Sequence, residues 1–248
     1  MRKLFLLVFV FFVQITWALP QVILYEGKGA WNTGTDNLKK FLEFYQIHYD
    51  SAGPQDLILG DLDLKNPKLL IMPGGESWVY LKDLGAEGAE NIRNFVAQGG
   101  SYLGICAGAF YATSHRKGGV ATGPYGIGLL EGTAMDGTYL EEPGYIEGVM
   151  DFLWEPGSPL VGGLGKSVRM LLYGGPYFQF NSSEAQKKKI EIISRFAHSH
   201  QPAMIQFRFG KGKVFLAAPH FEVKEEPGEK PLHDFTWPFL KRVVDSLF

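Results

Sequence analysis

The chain has 248 residues, 46% of them hydrophobic and 20% charged, and a net charge of −2. This is the composition of a globular protein long enough for one α/β domain. It lacks the basic excess of a nucleic-acid surface, and its single cysteine, Cys106, leaves it no internal disulfide.

In chain order, Arg2 and Lys3 precede an apolar run over residues 4–13 that is too short to span a bilayer. Thr16 and Ala18 occupy the small positions ahead of a cleavage site. Residues 1–18 therefore read as a secretory signal peptide and 19–248 as the mature domain. The expected location is outside the cytoplasm: periplasmic or secreted in a bacterium, endoplasmic reticulum or extracellular in a eukaryote. No membrane association is expected after cleavage.

Residues 21–25 form a first strand, apolar on both faces as in a buried parallel sheet. Leu38, Phe41, Leu42 and Tyr45 recur at helical spacing, and residues 47–49 suggest a second strand. Residues 54–66 read as a connector. The strand at 69–72 stops at Pro73-Gly74-Gly75-Glu76-Ser77, which puts backbone N–H groups at the carboxyl edge of the sheet, where open α/β sheets bind ligands. A helix is expected over 88–98, closed by Gly99-Gly100, and then a strand over 101–105. Residues 117–165, rich in Gly and Pro, read as loops and short strands at the edge of the site. A strand follows at 167–172, ending in Tyr173-Gly174-Gly175. Residues 187–197 read as a strand, 203–218 as a hairpin around Gly210-Lys211-Gly212, 223–234 as a charged loop, and 235–248 as a closing helix with Pro238 in its first turn. Alternating strands and helices predict an α/β fold with a mostly parallel sheet, completed by a C-terminal β-hairpin and helix.

Cys106 lies in Gly104-Ile105-Cys106-Ala107-Gly108, the cysteine form of a nucleophile elbow. A cysteine nucleophile needs a base and a group to orient it. His220 follows an apolar strand, as Cys106 does, and Glu222, two residues on, points the same way in an extended segment. The amides of Ala107 and Gly75 are the candidate oxyanion donors. Glu76, Ser77, Tyr173 and Gly174, with Trp78 and Tyr177, are candidates for lining the substrate site. His198 and His200 lack a third ligand nearby, so no metal is expected, and no cofactor motif is present: the phosphate-loop spacing is absent around Gly27 and Gly29. Asn181-Ser182-Ser183 is a glycosylation sequon.

Three ordered motifs, Pro73-Gly74-Gly75-Glu76-Ser77, Gly104-Ile105-Cys106-Ala107-Gly108 and Pro219-His220-Phe221-Glu222, resemble the class I glutamine amidotransferase-like superfamily. Tyr173-Gly174-Gly175 and Gly210-Lys211-Gly212-Lys213 bring the resemblance closer to the N-terminal domain of biotin–protein ligases and its free-standing bacterial forms. The resemblance implies a flavodoxin-like three-layer sandwich and a Cys106–His220–Glu222 triad with Gly75 and Ala107 as oxyanion donors. Phe221 stands where the amidotransferases carry proline. This sequence holds no synthetase to receive ammonia, and it lacks the Gly-Arg-Gly-Arg motif of the ligases. The expectation is an exported amide hydrolase, amidase- or glutaminase-like, that acts on a small amide or peptide through a thioester. The alternative is an amidotransferase-like binding protein without chemistry. A peptidase, pairing Cys106 with His115, fits the spacing less well.

Overall fold

The computed structural model describes residues 19–118, 123–137, 147–223 and 236–248. The proposed signal peptide, His233 and nearly all of the charged loop lie outside the described residues. The first half contains β1 (Val22–Tyr25), α1 (Asn32–Phe44), β2 (Tyr49–Ala52), α2 (Pro54–Ile58), α3 (Asp61–Lys65), β3 (Leu69–Met72), α4 (Ser77–Gln98), β4 (Ser101–Ile105) and α5 (Ala107–Ala112). Then come β5 (Thr113–Lys117), β6 (Gly123–Pro124), β7 (Leu130–Met135), β8 (Glu147–Trp154), β9 (Ser167–Tyr173) and β10 (Tyr177–Gln179). The chain closes with α6 (Ser182–Lys188), β11 (Glu191–Phe196), β12 (Pro202–Phe209), β13 (Gly212–Ala217) and α7 (Thr236–Leu247).

A nine-stranded sheet in the order β2-β1-β3-β4-β13-β12-β11-β8-β9 organises the molecule. Its first half, β2 through β13, is parallel, and its second half, β13 through β9, is antiparallel. Apart from the edge strand β2, the parallel strands are largely buried on both faces, which is why they read as apolar runs. Val22, Leu24, Leu69, Ile71, Leu103, Ile105 and Phe215 face one layer, with Leu38, Phe41 and Leu42 of α1 and Phe239, Leu240 and Val243 of α7. Ile23, Tyr25, Leu70, Met72, Tyr102 and Leu216 face the other, with Tyr80, Leu84, Ile92 and Val96 of α4. The alternation along each strand thus divides the core into two, giving the expected three layers. Replacing one of these buried large side chains by alanine costs about 2–5 kcal/mol. A second sheet, β10-β7-β5-β6, packs on α5 through Phe110, Tyr125 and Ala134. No helix among the described residues is long and apolar enough to cross a membrane.

Several expected boundaries move. The second strand lies at 49–52, and the connector at 54–66 holds α2 and α3. The helix expected from residue 88 begins at Ser77, with non-helical geometry at Gly85 (φ 57°). The span 187–197 is part helix, part strand. The Asn181 side chain caps α6 by accepting from the Glu184 N–H at 2.8 Å, Lys189 ends it in the left-handed region (φ 52°), and only residues 191–196 extend. Residues 147–154, read as irregular, form an eight-residue strand of the main sheet.

Candidate active site

The nucleophile turn follows from local packing. Cys106 sits between β4 and α5 with φ 48° and ψ −102°, a conformation that a non-glycine residue holds only at a cost of about 1–3 kcal/mol. Its N–H donates to the Ala217 carbonyl of β13 at 2.8 Å, and its carbonyl accepts from Ala109 and Phe110. The flanking glycines are required sterically. A Cβ on Gly104 would run into the Gly108 carbonyl, and one on Gly108 into the Met72 carbonyl. The Tyr102 phenol donates to the Gly108 carbonyl at 2.7 Å and fixes the entry to α5.

His220 lies just past β13, its N–H bonded to the Leu171 carbonyl of β9 at 2.8 Å. Because β4 and β13 are adjacent, parallel and in register at Ile105 and Ala217, the two segments leave the sheet side by side. The Nδ1 atom of His220 is 2.8 Å from Glu222 Oε1, and both side chains are buried. That contact leaves Nε2 for the thiol, and Cys106 lies near enough to raise the ring's affinity for a proton. Burial works to lower the His220 pKa. The charges of Glu222 and the Cys106 thiolate, with hydrogen bonds to both, outweigh it and push the value up to about 10. The ring is therefore a strong acceptor for a proton, and its imidazolium is favoured once the sulfur has given its proton up. Cys106 Sγ also donates to the Tyr173 carbonyl at 3.4 Å. The thiol thus lies between a base that would take its proton and a carbonyl that would hold it.

Two backbone donors face no protein acceptor. Among the described residues the amides of Gly75 and Ala107 have no hydrogen-bond partner, although those of Glu76, Cys106 and Gly108 are bonded. The Gly108 N–H donates to the Pro73 carbonyl at 3.0 Å, which ties the Gly74-Gly75 turn to the helix that begins at Ala107.

The other sequence candidates divide. Tyr173 closes the site with its carbonyl while its ring is exposed, and Gly174 (φ 69°) follows it. Glu76 and Trp78 are exposed beside the Gly74-Gly75 turn. Ser77 is buried and engaged elsewhere, with Tyr125 OH at 2.8 Å and Arg116 Nη1 at 3.0 Å. Tyr177 is buried in the core layer that also contains Cys106. His115 is exposed and pairs with the Ser114 hydroxyl.

Trp31 is a site residue that the sequence reading missed. Its ring meets His220 edge-on with centroids 4.7 Å apart and stacks on Tyr173 at 5.8 Å, walling the imidazole from solvent. Its position after the first strand, at the carboxyl edge of the sheet, was the available clue.

The family model "Biotin-protein ligase, N terminal" matches residues 20–122. An uncharacterized protein of Chlamydia muridarum is 30% identical over 223 residues, 84% of this chain and 82% of that protein. A solved glutamine amidotransferase superposes with a TM-score of 0.62 over 92% of this chain and 98% of that one, at 21% identity. Over residues 20–122 the chain is therefore similar to the biotin–protein ligase N-terminal family, and it shares the fold of solved glutamine amidotransferases. The biotin–protein ligase of Schizosaccharomyces pombe is 27% identical over 167 residues, 64% of this chain but 26% of that protein. A glutamine amidotransferase of Thermotoga maritima shares the fold more distantly, with a TM-score of 0.50 and 10% identity over 92% of this chain and 82% of that one.

Proposed function

We propose that this amidotransferase-like chain is an exported cysteine amide hydrolase. The observation that carries the reading is the alignment of a strained cysteine turn, a buried histidine that leaves the neighbouring, in-register strand beside it, and a buried carboxylate 2.8 Å from the histidine's Nδ1. Cys106 transfers its proton to His220 Nε2 and attacks the carbonyl carbon of a small amide or peptide. The resulting oxyanion is received by the free N–H groups of Gly75 and Ala107. Collapse breaks the C–N bond, His220 returns its proton to the departing amine, and a thioester remains on Cys106. Water, deprotonated by His220, then releases the carboxylic acid and restores the thiol. Glu222 keeps the proton on Nδ1 and stabilises the imidazolium. The segment 1–18 serves as the export signal.

The test is amine release from a panel of carboxamides, L-glutamine included, by the wild type and by Cys106→Ala. Loss of turnover in the variant is the expected result, and turnover that survives it would remove the triad from the mechanism. A binding protein without chemistry is the second reading, favoured by the thiol's donation to the Tyr173 carbonyl. Iodoacetamide decides between the two. A triad thiol alkylates rapidly at neutral pH, whereas a thiol held by Tyr173 reacts only above about pH 8.

A further inference from the structure

The second oxyanion donor raises a mechanical problem. Gly74 and Gly75 are consecutive glycines, Gly75 lies at φ 135°, and the peptide between them has little intrinsic preference for one face over the other. A rotation of that peptide would exchange the Gly75 N–H for the Gly74 carbonyl, turning a donor into a lone pair aimed at the developing negative charge. A site built on this turn needs something rigid to hold the carbonyl on the far side.

Tyr80 meets that requirement. Its hydroxyl is 3.1 Å from the Pro73 carbonyl oxygen and 3.1 Å from that of Gly74, so one phenol proton is shared between two successive peptides. The Trp31 N–H adds a second bond to the Gly74 carbonyl at 2.8 Å, and the Gly108 N–H a second to Pro73 at 3.0 Å. In a planar trans peptide the N–H points opposite to the C=O. Holding the Gly74 carbonyl against Tyr80 and Trp31 therefore directs the Gly75 N–H away from them, toward the side on which it has no protein acceptor. Tyr80 stands in the first turn of α4, is fully buried, and is set edge-on against the rings of Tyr25 (5.0 Å) and Tyr111 (6.1 Å). Burial, reinforced by the charges of Tyr25 and Cys106, raises its pKa well above the ordinary phenol value, so the donor proton stays in place.

We infer that Tyr80 is a positioning residue, a clamp whose phenol fixes the Gly74–Gly75 peptide with its amide turned toward Cys106. The inference rests on the hydrolase reading for its catalytic consequence, but its structural content stands apart from it.

Tyr80→Phe keeps the ring and its packing and removes only the hydroxyl. Tyr25→Phe is the control, because the neighbouring Tyr25 hydroxyl is buried with no partner among the described residues. Three quantities are measured in wild type, Tyr80→Phe and Tyr25→Phe. They are the acylation rate with p-nitrophenyl acetate above the Cys106→Ala background, the iodoacetamide alkylation rate, and hydrogen exchange of the Trp31 and Glu76 amides by NMR. Tyr80→Phe should slow acylation about tenfold or more, less than the loss of an oxyanion donor outright. It should leave alkylation, which forms no oxyanion, within about twofold, and speed exchange at Trp31 and Glu76 about tenfold as their bonds across the turn loosen. Tyr25→Phe should match wild type in all three. Unchanged exchange in Tyr80→Phe, or unchanged acylation where the wild type acylates, overturns the clamp. A wild type that releases no p-nitrophenolate overturns the hydrolase reading instead, and exchange alone then decides the clamp.

Discussion

Gly74 supports the candidate site by having no side chain, and Gly74→Ala measures how tightly the base is held. A Cβ at this position would lie well inside 3.0 Å of His220 Cε1, 3.1 Å from Nδ1 and 3.2 Å from Nε2. Gly74 is not among the positive-φ glycines, so its backbone accepts alanine and the collision with the ring is the whole perturbation. The ring has no easy retreat, with Glu222 at 2.8 Å on one side, the Trp31 edge at 4.7 Å on another, and almost no solvent exposure. Restoring ordinary contact moves the imidazole by about 1 Å, a displacement that costs about a hundredfold in rate at a catalytic group. The overpacking itself costs about 1–3 kcal/mol, which for a chain of this size lowers the melting temperature by about 2–12 °C. Iodoacetamide alkylation of Cys106 at neutral pH should fall at least tenfold, because the thiol loses its proton acceptor, and thermal melting should show the loss of stability. A variant that alkylates at the wild-type rate and melts within 1 °C of wild type would refute the placement of His220 against this turn.

Glu222→Gln bears on pH dependence. The folded-state pKa of His220 is raised to about 10, above the unfolded value of about 6.5. Its imidazolium therefore adds stability that is complete below pH 6.5 and is lost as pH rises through 10. Urea unfolding of the variant should show a flatter decline over that window, and an unchanged slope would remove Glu222 as the cause of the raised value. Gly108→Ala drives a methyl into the Met72 carbonyl and should cost more than about 2 kcal/mol, read as a lower urea midpoint at constant slope. Trp31→Ala removes the wall over His220 while leaving the triad in place, so the His220 ring should become open to solvent and its NMR-titrated pKa should change as the ring regains water. Expression in a bacterium with a periplasm should yield a processed protein whose N-terminal residue is Leu19, checked by intact mass; a retained Met1 would remove the export proposal.

The parts of the fold that were legible are those whose side chains report their surroundings locally. β1, β3, β4 and β13 are buried on both faces and appear as apolar runs, and α7 shows its stripe of Phe239, Leu240, Val243, Val244 and Leu247. Residues 147–154 were hidden because Gly148 and Asp151 interrupt the apolar pattern at sites where the strand is not fully covered. The helices α2 and α3, with five residues each, are too short to develop a period. Around Cys106 the polar groups were legible because their chemistry is carried by residue type. The roles of Trp31, Tyr80 and Ser77 were not, because each depends on a neighbour brought in by folding: Trp31 on Tyr173 and His220, Tyr80 on carbonyls, and Ser77 on Tyr125 and Arg116. Nothing in the local sequence marks an aromatic ring as a wall or a phenol as a clamp.

The pairing of β4 with β13 also bears on the order in which the protein assembles. The residues of the cysteine turn come from the first half of the chain, whereas the histidine and the Ala217 carbonyl that holds the Cys106 N–H come with β13 and the segment after it, and these meet only when β13 enters the sheet beside β4. Contacts between residues so distant in sequence require closure of a long loop and form late. Until then the turn lacks its bond to β13 and the sulfur has no base. A chain still being synthesised, or one truncated before β13, would carry an ordinary thiol. Under the proposed mechanism, activation of Cys106 is coupled to completion of the fold, which would restrict its reactivity to finished molecules.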